Sequence, residues 1–478
     1  MLRDLVIAHY FGASYMSDAY IAAMTIPNAI ILFMLTGMKD AFVPSYYKYE
    51  KQHLGFSHLT NVVKGTFWIG LVISIVGAAM SPLLMKWFYP NFHDEGLKIA
   101  TWTAALYFIS VFLVGVNAVY EGYFDARKKF SFSTFSQTIV VISTIGAALL
   151  FHESLGIYSL PLGYLVGTFL SFLIKLFYMK PAGFMKWKQR LDVKEVQAFY
   201  WIFLPVGITI AVGQVNLFVN TLFAAGLGEG VVANLNFAFR LVNIPQAIFG
   251  VTIATIVYPI LAESKMKDDH ALFKQGIERG LSYMFLFLAP TVAGMIVLMK
   301  PLVEVVYQRG AFDAAAADMT TQLSIYYVGS VLFYSIQAVI AKGFYTLEKG
   351  HYMMRIGLIS IVVNIVFNAI LSRLMGPEGL ALSASMVGFV YSAITFSTLY
   401  KITGGFRLKF VAAEYGKVIV ATGVMVFILL KATDWFGMAD WSSLTYLLVM
   451  IPLGAISYFL AIFLTRSASF KELLSWRS

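Results

Sequence analysis

The sequence predicts an all-α, polytopic membrane protein of about fourteen transmembrane helices: two six-helix lobes in a parallel pseudo-repeat, followed by a C-terminal helix pair. Three observations predict it. Apolar runs long enough to cross a bilayer follow one another along the whole chain, the loops between them alternate in charge, and motifs of the first half recur at a constant offset in the second.

Composition comes first because it decides the solvent. Of 478 residues, 59% are hydrophobic and 13% charged, with a mean hydropathy of +0.76. Soluble domains carry roughly 25% charged residues, so this chain cannot cover a water-facing surface. Its 41 Phe and 27 Tyr supply aromatic belts for the membrane interfaces. The net charge of +10 does not indicate nucleic acid, because the basic residues lie in short loops and form no single patch. With no cysteine, the chain has no disulfide, thiolate nucleophile or Cys-ligated metal. Met1-Leu2-Arg3-Asp4 opens no cleavable signal-peptide pattern.

A spanning helix needs roughly 20 mostly apolar residues. The runs fall near 2–12 (a short one), 17–47, 61–89, 97–123, 131–151, 156–179 and 196–226. They continue near 231–262, 275–306, 315–346, 352–374, 379–402, 411–433 and 441–465. One set of loops is basic: Lys48 and Lys51; Arg127, Lys128 and Lys129; Lys180, Lys186, Lys188 and Arg190; Lys265, Lys267 and Lys274. The same side continues with Lys349 and Arg355, then Lys401, Arg407 and Lys409, then Arg466, Lys471 and Arg477. Opposite loops such as Gly12–Ser17, His152–Gly156 and Gly226–Gly230 hold no Lys or Arg. The positive-inside rule therefore puts both termini in the cytoplasm.

Met80-Ser81-Pro82-Leu83 recurs as Met299-Lys300-Pro301-Leu302, Gly122-Tyr123-Phe124 as Gly343-Phe344-Tyr345, and Ile26-Pro27 as Ile244-Pro245. Gly12 is matched by Gly230 and Asp18 by Asn236, the offset staying at 218 to 221 residues. Six spans fit in one offset, so both copies share an orientation and relate by an axis along the membrane normal. The expected division is 1–190 and 191–409 for the lobes, with 410–478 holding helices 13 and 14 and a cytoplasmic tail. Such a duplication places a substrate cavity between lobes that rock to open it to either side.

Ionisable groups inside spans are expensive and mark function or a paired structural charge. In the first lobe they are Arg3, Asp4, Asp18, Lys39 and Asp40; in the second, Arg240. A guanidinium fork suits a phosphate, and Lys acts as a point charge, so Arg3, Arg240 and Lys39 are candidates for a cationic cavity. The plain alternative is ion pairing of Arg3 with Asp4 or Asp18 and of Lys39 with Asp40, with Lys39 snorkelling to the interface. Pro27 and Pro245 stand at equivalent mid-span positions and each removes a backbone bond, which suits a hinge or a static kink. Asn364 and Asn368 share a helix face. With Asn220, Ser383 and Ser385 they present oxygens to a hard cation, although interhelical hydrogen bonding explains them better without a carboxylate.

Enzymatic chemistry is not expected. There is no phosphate-binding G-x-x-x-x-G-K-[ST] loop, no nucleophile elbow, and the seven histidines (His9, His53, His58, His93, His152, His270, His351) lack metal-ligand spacing. No cofactor or metal is implied.

The stretch Arg3-Asp4, Phe11-Gly12, Ser17-Asp18-Ala19-Tyr20, Pro27-Asn28 and Ala41-Phe42-Val43-Pro44 resembles the opening of the MurJ/MviN family. The resemblance runs on through Arg240-Leu241, Pro245, Gly343-Phe344-Tyr345 and Gly379-Leu380-Ala381-Leu382. It implies a flippase that moves lipid II, the undecaprenyl-diphosphate-linked murein precursor, from the cytoplasmic to the outer leaflet. It also implies a cationic central cavity and a hydrophobic groove along the last two helices. Arg3 and Arg240 match arginines that family uses for the anionic headgroup, and Asp18 its acid in the second helix. Three departures stand out. Ile31 replaces an arginine, a further arginine would lie upstream of Arg3 (suggesting a mis-assigned start or a truncated first span), and Asn220 and Asn368 replace sodium-binding acids. The last argues against sodium coupling.

The partners expected are therefore a polyprenyl-diphosphate-linked saccharide and membrane lipid, without nucleic acid, the chain acting as a monomer. The prenyl tail is expected along spans thirteen and fourteen, with Lys431, Asp434 and Asp440 at their outer turn. Other readings are a flippase for another lipid-linked oligosaccharide, a drug/cation antiporter of the same superfamily, and a non-transporting envelope scaffold.

Overall fold

The computed structural model describes residues 1–179, 189–435, 438 and 441–475. Lys180, Lys186, Lys188, Asp440 and Arg477 lie outside the described residues. Sixteen α-helices run in order among them: α1 Leu2–Phe11, α2 Tyr15–Glu50, α3 Gly55–Phe88, α4 Asp94–Ala126, α5 Phe130–Leu155, α6 Ser159–Met179, α7 Val193–Ala224 and α8 Val231–Val242. They continue as α9 Val251–Met266, α10 His270–Tyr307, α11 Ala314–Thr346, α12 Gly350–Met375, α13 Pro377–Ile402, α14 Leu408–Trp435, α15 Ser443–Leu464 and α16 Ala468–Ser475.

Eleven described stretches are long and apolar enough to cross a membrane by length and composition. One of them, Phe130–Met179, turns at Gly156–Tyr158 and contains two passes, α5 and α6. Adding the 10-residue α1 and the 32-residue α7 gives about fourteen passes, as the hydropathy pattern predicts. Pass eight is composite: α8 leads through Pro245 into a wide π-helical turn, Gln246–Gly250, and then α9.

The chain divides into two compact units, Met1–Ala233 and Asn234–Ser478. In the first, α2 packs on α4 and α7, α3 on α4, α5 on α6, and α4 on α6. In the second, α9 and α10 pack on α11, α12 on α13, α11 on α13, and α10 on α14 and α15. The matching pairings carry the repeat from sequence into packing. Backbone details follow it: Lys128 and Glu348, 220 apart, both take the left-handed turn after their helix, as do Gly156 and Gly376. Only glycine adopts that region without cost, which fixes the α5–α6 and α12–α13 corners.

Lipid-facing and protein-facing stripes are clear on α3. Trp68, Val72, Ile75, Leu83 and Trp87 are exposed on one side, and Gly70, Ser74, Gly77 and Ser81 turn the other way. A Cβ at Gly70 would lie 2.8 Å from Phe112 Cα, so only glycine allows α3 and α4 to approach this closely. Between α5 and α6, Gly163 and Gly167 do the same against Thr144 and Val140. Helix pairs in lipid gain from dispersion at close range, since hydrocarbon offers no hydrophobic drive between them. Water-facing helix starts are capped by acids: Asp192 on α7, Asp269 on α10 and Asp313 on α11.

Candidate functional site

Arg3 sits in the first turn of α1 with its side chain 23% exposed. Its guanidinium donates to Asp4 Oδ1 at 3.4 Å and to Met24 Sδ at 3.2 Å. Tyr20 of α2 and Tyr107 of α4 are buried, their hydroxyls 2.7 Å apart. Asp18 is not the partner of Arg3. Its two carboxylate oxygens accept from the backbone N–H of Gly230 (2.6 Å) and Ala233 (2.7 Å), so it caps the start of α8. A carboxylate there satisfies orphan amides and complements the positive helix end.

Lys39 does not form its direct ion pair with Asp40. Lys39 Nζ meets Asp125 at 2.9 Å and donates to Ser133 at 3.0 Å, tying α2 to α4 and α5. Pro27 and Pro245, equivalent in sequence, differ in outcome: α2 runs unbroken through Pro27, whereas Pro245 precedes the π turn. Asn243 Nδ2 donates to Phe239 O at 2.7 Å beside that break.

The polar set considered for a cation divides. Asn364 and Asn368 are buried on α12 and bonded to each other at 3.4 Å, and Ser383 is buried on α13. Ser385 instead joins α13 to α11, donating to Tyr326 O at 2.6 Å and accepting from Ser330 N. Asn220 belongs to α7 in the other unit. No group of three or more His, Asp or Glu placed to hold a metal occurs among the described residues. Near the C-terminal end of α14, Lys431 and Asp434 pair at 3.7 Å.

Two polar clusters escaped the sequence reading. In the first, Glu121 and Lys175, both fully buried, meet at 2.9 Å; Gln137 and Ser136 also donate to Glu121, and Lys175 to Ser171. In the second, His58 Nδ1 lies 2.5 Å from Glu195 Oε1 and Nε2 lies 2.8 Å from Ser45 Oγ, with Asn61 also donating to Glu195. The available signal was an acid or a lysine about a turn inside a span end, a place where snorkelling is the ordinary expectation.

Arg240 occupies the last turn of α8. The next residue, Leu241, is the first to line a cavity of about 450 Å³ in the second unit. Pro245 and Phe249 of the α8–α9 break form one wall, Met425 and Leu429 of α14 another, and Met450 and Tyr458 of α15 a third. The few polar groups there are already engaged: Tyr458 OH donates to Leu286 O and Thr291 Oγ1 to Phe287 O. The recess therefore offers hydrocarbon only dispersion contacts, and Arg240 immediately precedes its first lining residue in the chain.

Helices enough for about fourteen passes, a twofold internal repeat and an apolar recess in the second unit define a polytopic, transporter-like membrane protein. A family model described as lipid II flippase MurJ matches residues 7–452, and the chain belongs to that family. It is 27% identical over 460 residues to a lipid II flippase MurJ of Burkholderia cenocepacia, covering 92% of this chain and 88% of that one. It is 25% identical to a probable lipid II flippase MurJ of Vibrio cholerae, covering 99% and 94%. Among solved structures it resembles a lipid II flippase MurJ in an inward closed conformation, with a TM-score of 0.83, 23% identity, and 99% and 96% coverage. An inward-facing multidrug transporter of the MATE family aligns at a TM-score of 0.73 with 10% identity, covering 84% of this chain and 94% of that one, which marks a shared fold.

Proposed function

We propose that this chain flips the undecaprenyl-diphosphate-linked peptidoglycan precursor, lipid II, from the inner to the outer leaflet by alternating access, for cell-wall biogenesis. The observation that carries the reading is Arg240 standing next to the first residue of an apolar recess walled by α14 and α15. A diphosphate cannot enter hydrocarbon bare, because isolated charges cost many kcal/mol to desolvate. Arg240 and Arg3 supply the charge that replaces water, and the recess receives the prenyl tail. Lys39 and Asp18 act at one remove, the first by bracing α2 against α4 and α5, the second by fixing the start of α8.

The protein works as a secondary transporter without a catalytic step, as a monomer in the bacterial cytoplasmic membrane with both termini cytoplasmic. The lobes run 1–190 and 191–409, with 410–478 as the added helix pair and tail. Pro245 and its π turn serve as the hinge, Pro27 as a stiffer counterpart. An inside-negative potential favours outward movement of an anion by about 2.3 kcal/mol per charge per 100 mV, so no coupling cation is required. Asn364 and Asn368 serve as interhelical hydrogen-bond glue, and they also bond to each other within α12. The test is complementation in cells depleted of their murein flippase: the wild-type chain restores growth, and Arg240→Ala inserts normally yet does not. Growth restored equally by Arg240→Ala defeats the assignment.

A further inference from the structure

We infer that Tyr458 is a positioning residue of the apolar recess: its hydroxyl replaces the backbone donor that Pro290 removes from α10, so the wall beside it carries no unpaired acceptor. The inference deepens the reading of the recess as the seat of a prenyl tail and rests on it. In an α-helix the C=O of residue i accepts from the N–H of residue i+4. Pro290 lies inside α10 and has no N–H, so the carbonyl of Leu286, four residues earlier, loses its helical donor. Leu286 is buried. A bare acceptor there is costly, and membrane helices tolerate proline where a neighbouring helix, a side chain or a water meets the freed group. Here the partner comes from another helix: Tyr458 of α15 donates to Leu286 O at 2.5 Å. The hydroxyl of Thr291, next to Pro290 on α10, is engaged with Phe287 O at 2.6 Å.

The location of this bond gives it a role beyond repair. Phe287, Pro290, Thr291 and Tyr458 all line the recess, and Tyr458 turns its one polar side-chain atom into α10. Without that hydroxyl the Leu286 carbonyl calls for a water, and the recess is the adjoining space that can hold one. Apolar cavities receive apolar molecules when they are dry, so a water fixed to one wall spoils the seat for hydrocarbon. A second tyrosine supplies the contrast. Tyr415 of α14 donates to Leu281 O at 3.3 Å, but the residue four further on is Phe285, which has an N–H of its own. Tyr415 therefore adds to a carbonyl whose helical donor exists, whereas Tyr458 stands in for one that does not.

The plain alternative is that Tyr458 only fastens α15 to α10. A double-mutant cycle with Pro290→Ala, which restores the missing N–H, separates the two. In heat unfolding of the purified full chain, Tyr458→Phe should lower the midpoint in the parent background and scarcely in Pro290→Ala. Tyr415→Phe should scarcely lower it at all. The recess is read with a polarity-sensitive dye on Met425→Cys, a single cysteine in a chain that has none, and with binding of undecaprenol. Tyr458→Phe should shift the emission to the red and weaken undecaprenol binding about tenfold, and Tyr415→Phe should do neither. Adding Pro290→Ala to Tyr458→Phe should return the emission to that of the parent. An equal loss of stability with and without Pro290, or a double variant that fails to fold where Pro290→Ala folds, overturns the donor role. Unshifted emission, or undecaprenol held by Tyr458→Phe as tightly as by the parent, overturns the positioning role. A parent chain without saturable undecaprenol binding, its stability cycle and emission behaving as expected, sinks the prenyl-tail reading alone and leaves the replacement of the Pro290 donor standing.

Discussion

The buried pair of Glu121 and Lys175 gives the sharpest energetic prediction. At 2.9 Å their attraction amounts to roughly 6 kcal/mol for an effective dielectric constant of about 20, enough to offset much of the cost of desolvating both charges. Removing one partner strands the other, at about 3–5 kcal/mol. The two single changes are not equivalent. After Lys175→Met, Glu121 keeps its donors Gln137 and Ser136, whereas after Glu121→Ala, Lys175 keeps only Ser171. Glu121→Ala is therefore the more damaging by about one charged hydrogen bond, roughly 1.5 kcal/mol or more. The double change Glu121→Gln/Lys175→Met removes both charges and recovers most of the loss. Reversible unfolding of the purified protein in mixed micelles reads all three. Single variants within about 0.5 kcal/mol of the parent, or a double variant worse than the sum of the singles, would refute the argument.

Other substitutions test separate parts of the fold. Asp18→Ala leaves two amides of α8 without their acceptor and should cost about 1 kcal/mol in the same unfolding experiment, Asp18→Asn less. Gly70→Ala presses a methyl against the Phe112 backbone and should cost about 1–3 kcal/mol, whereas Gly146→Ala meets open space on α5 and should be neutral or stabilising by about 0.5 kcal/mol. Lys265, 2.6 Å away, holds the Glu348 carboxyl below the usual glutamate range in a turn outside the spans. A depressed carboxyl stabilises above the unfolded-state pKa and loses that contribution as pH falls through the folded value. This pair is solvent-exposed and screened, so Glu348→Gln should leave the acid limb of a stability–pH curve unmoved at physiological salt.

The spans and the duplication were legible because both are written in local pattern: hydropathy over about 20 residues, and motifs repeated in register. Side-chain partnerships were legible only where they are local. Arg3 with Asp4 is one residue away, but Asp18 finds its amides 212 and 215 residues on, and Lys39 passes over the adjacent Asp40 for Asp125. The unlike fates of Pro27 and Pro245 have a physical reason that lies outside either proline. The π turn after Pro245 ends in Gly250, where a Cβ would come 3.1 Å from Ser335 Oγ of α11. The matching position in α2 is Leu32, too bulky for such an approach, and the helix there stays regular.

The recess by Arg240 has one property that follows from its satisfied hydroxyls. Walls that grip by dispersion alone set no register, since every methylene or isoprene step along a chain feels the same surroundings. A tail lying in such a channel can reptate without breaking anything, so neither its length nor its position is measured there. Such a lining tells an apolar occupant from a polar one, and does not tell one chain length from another.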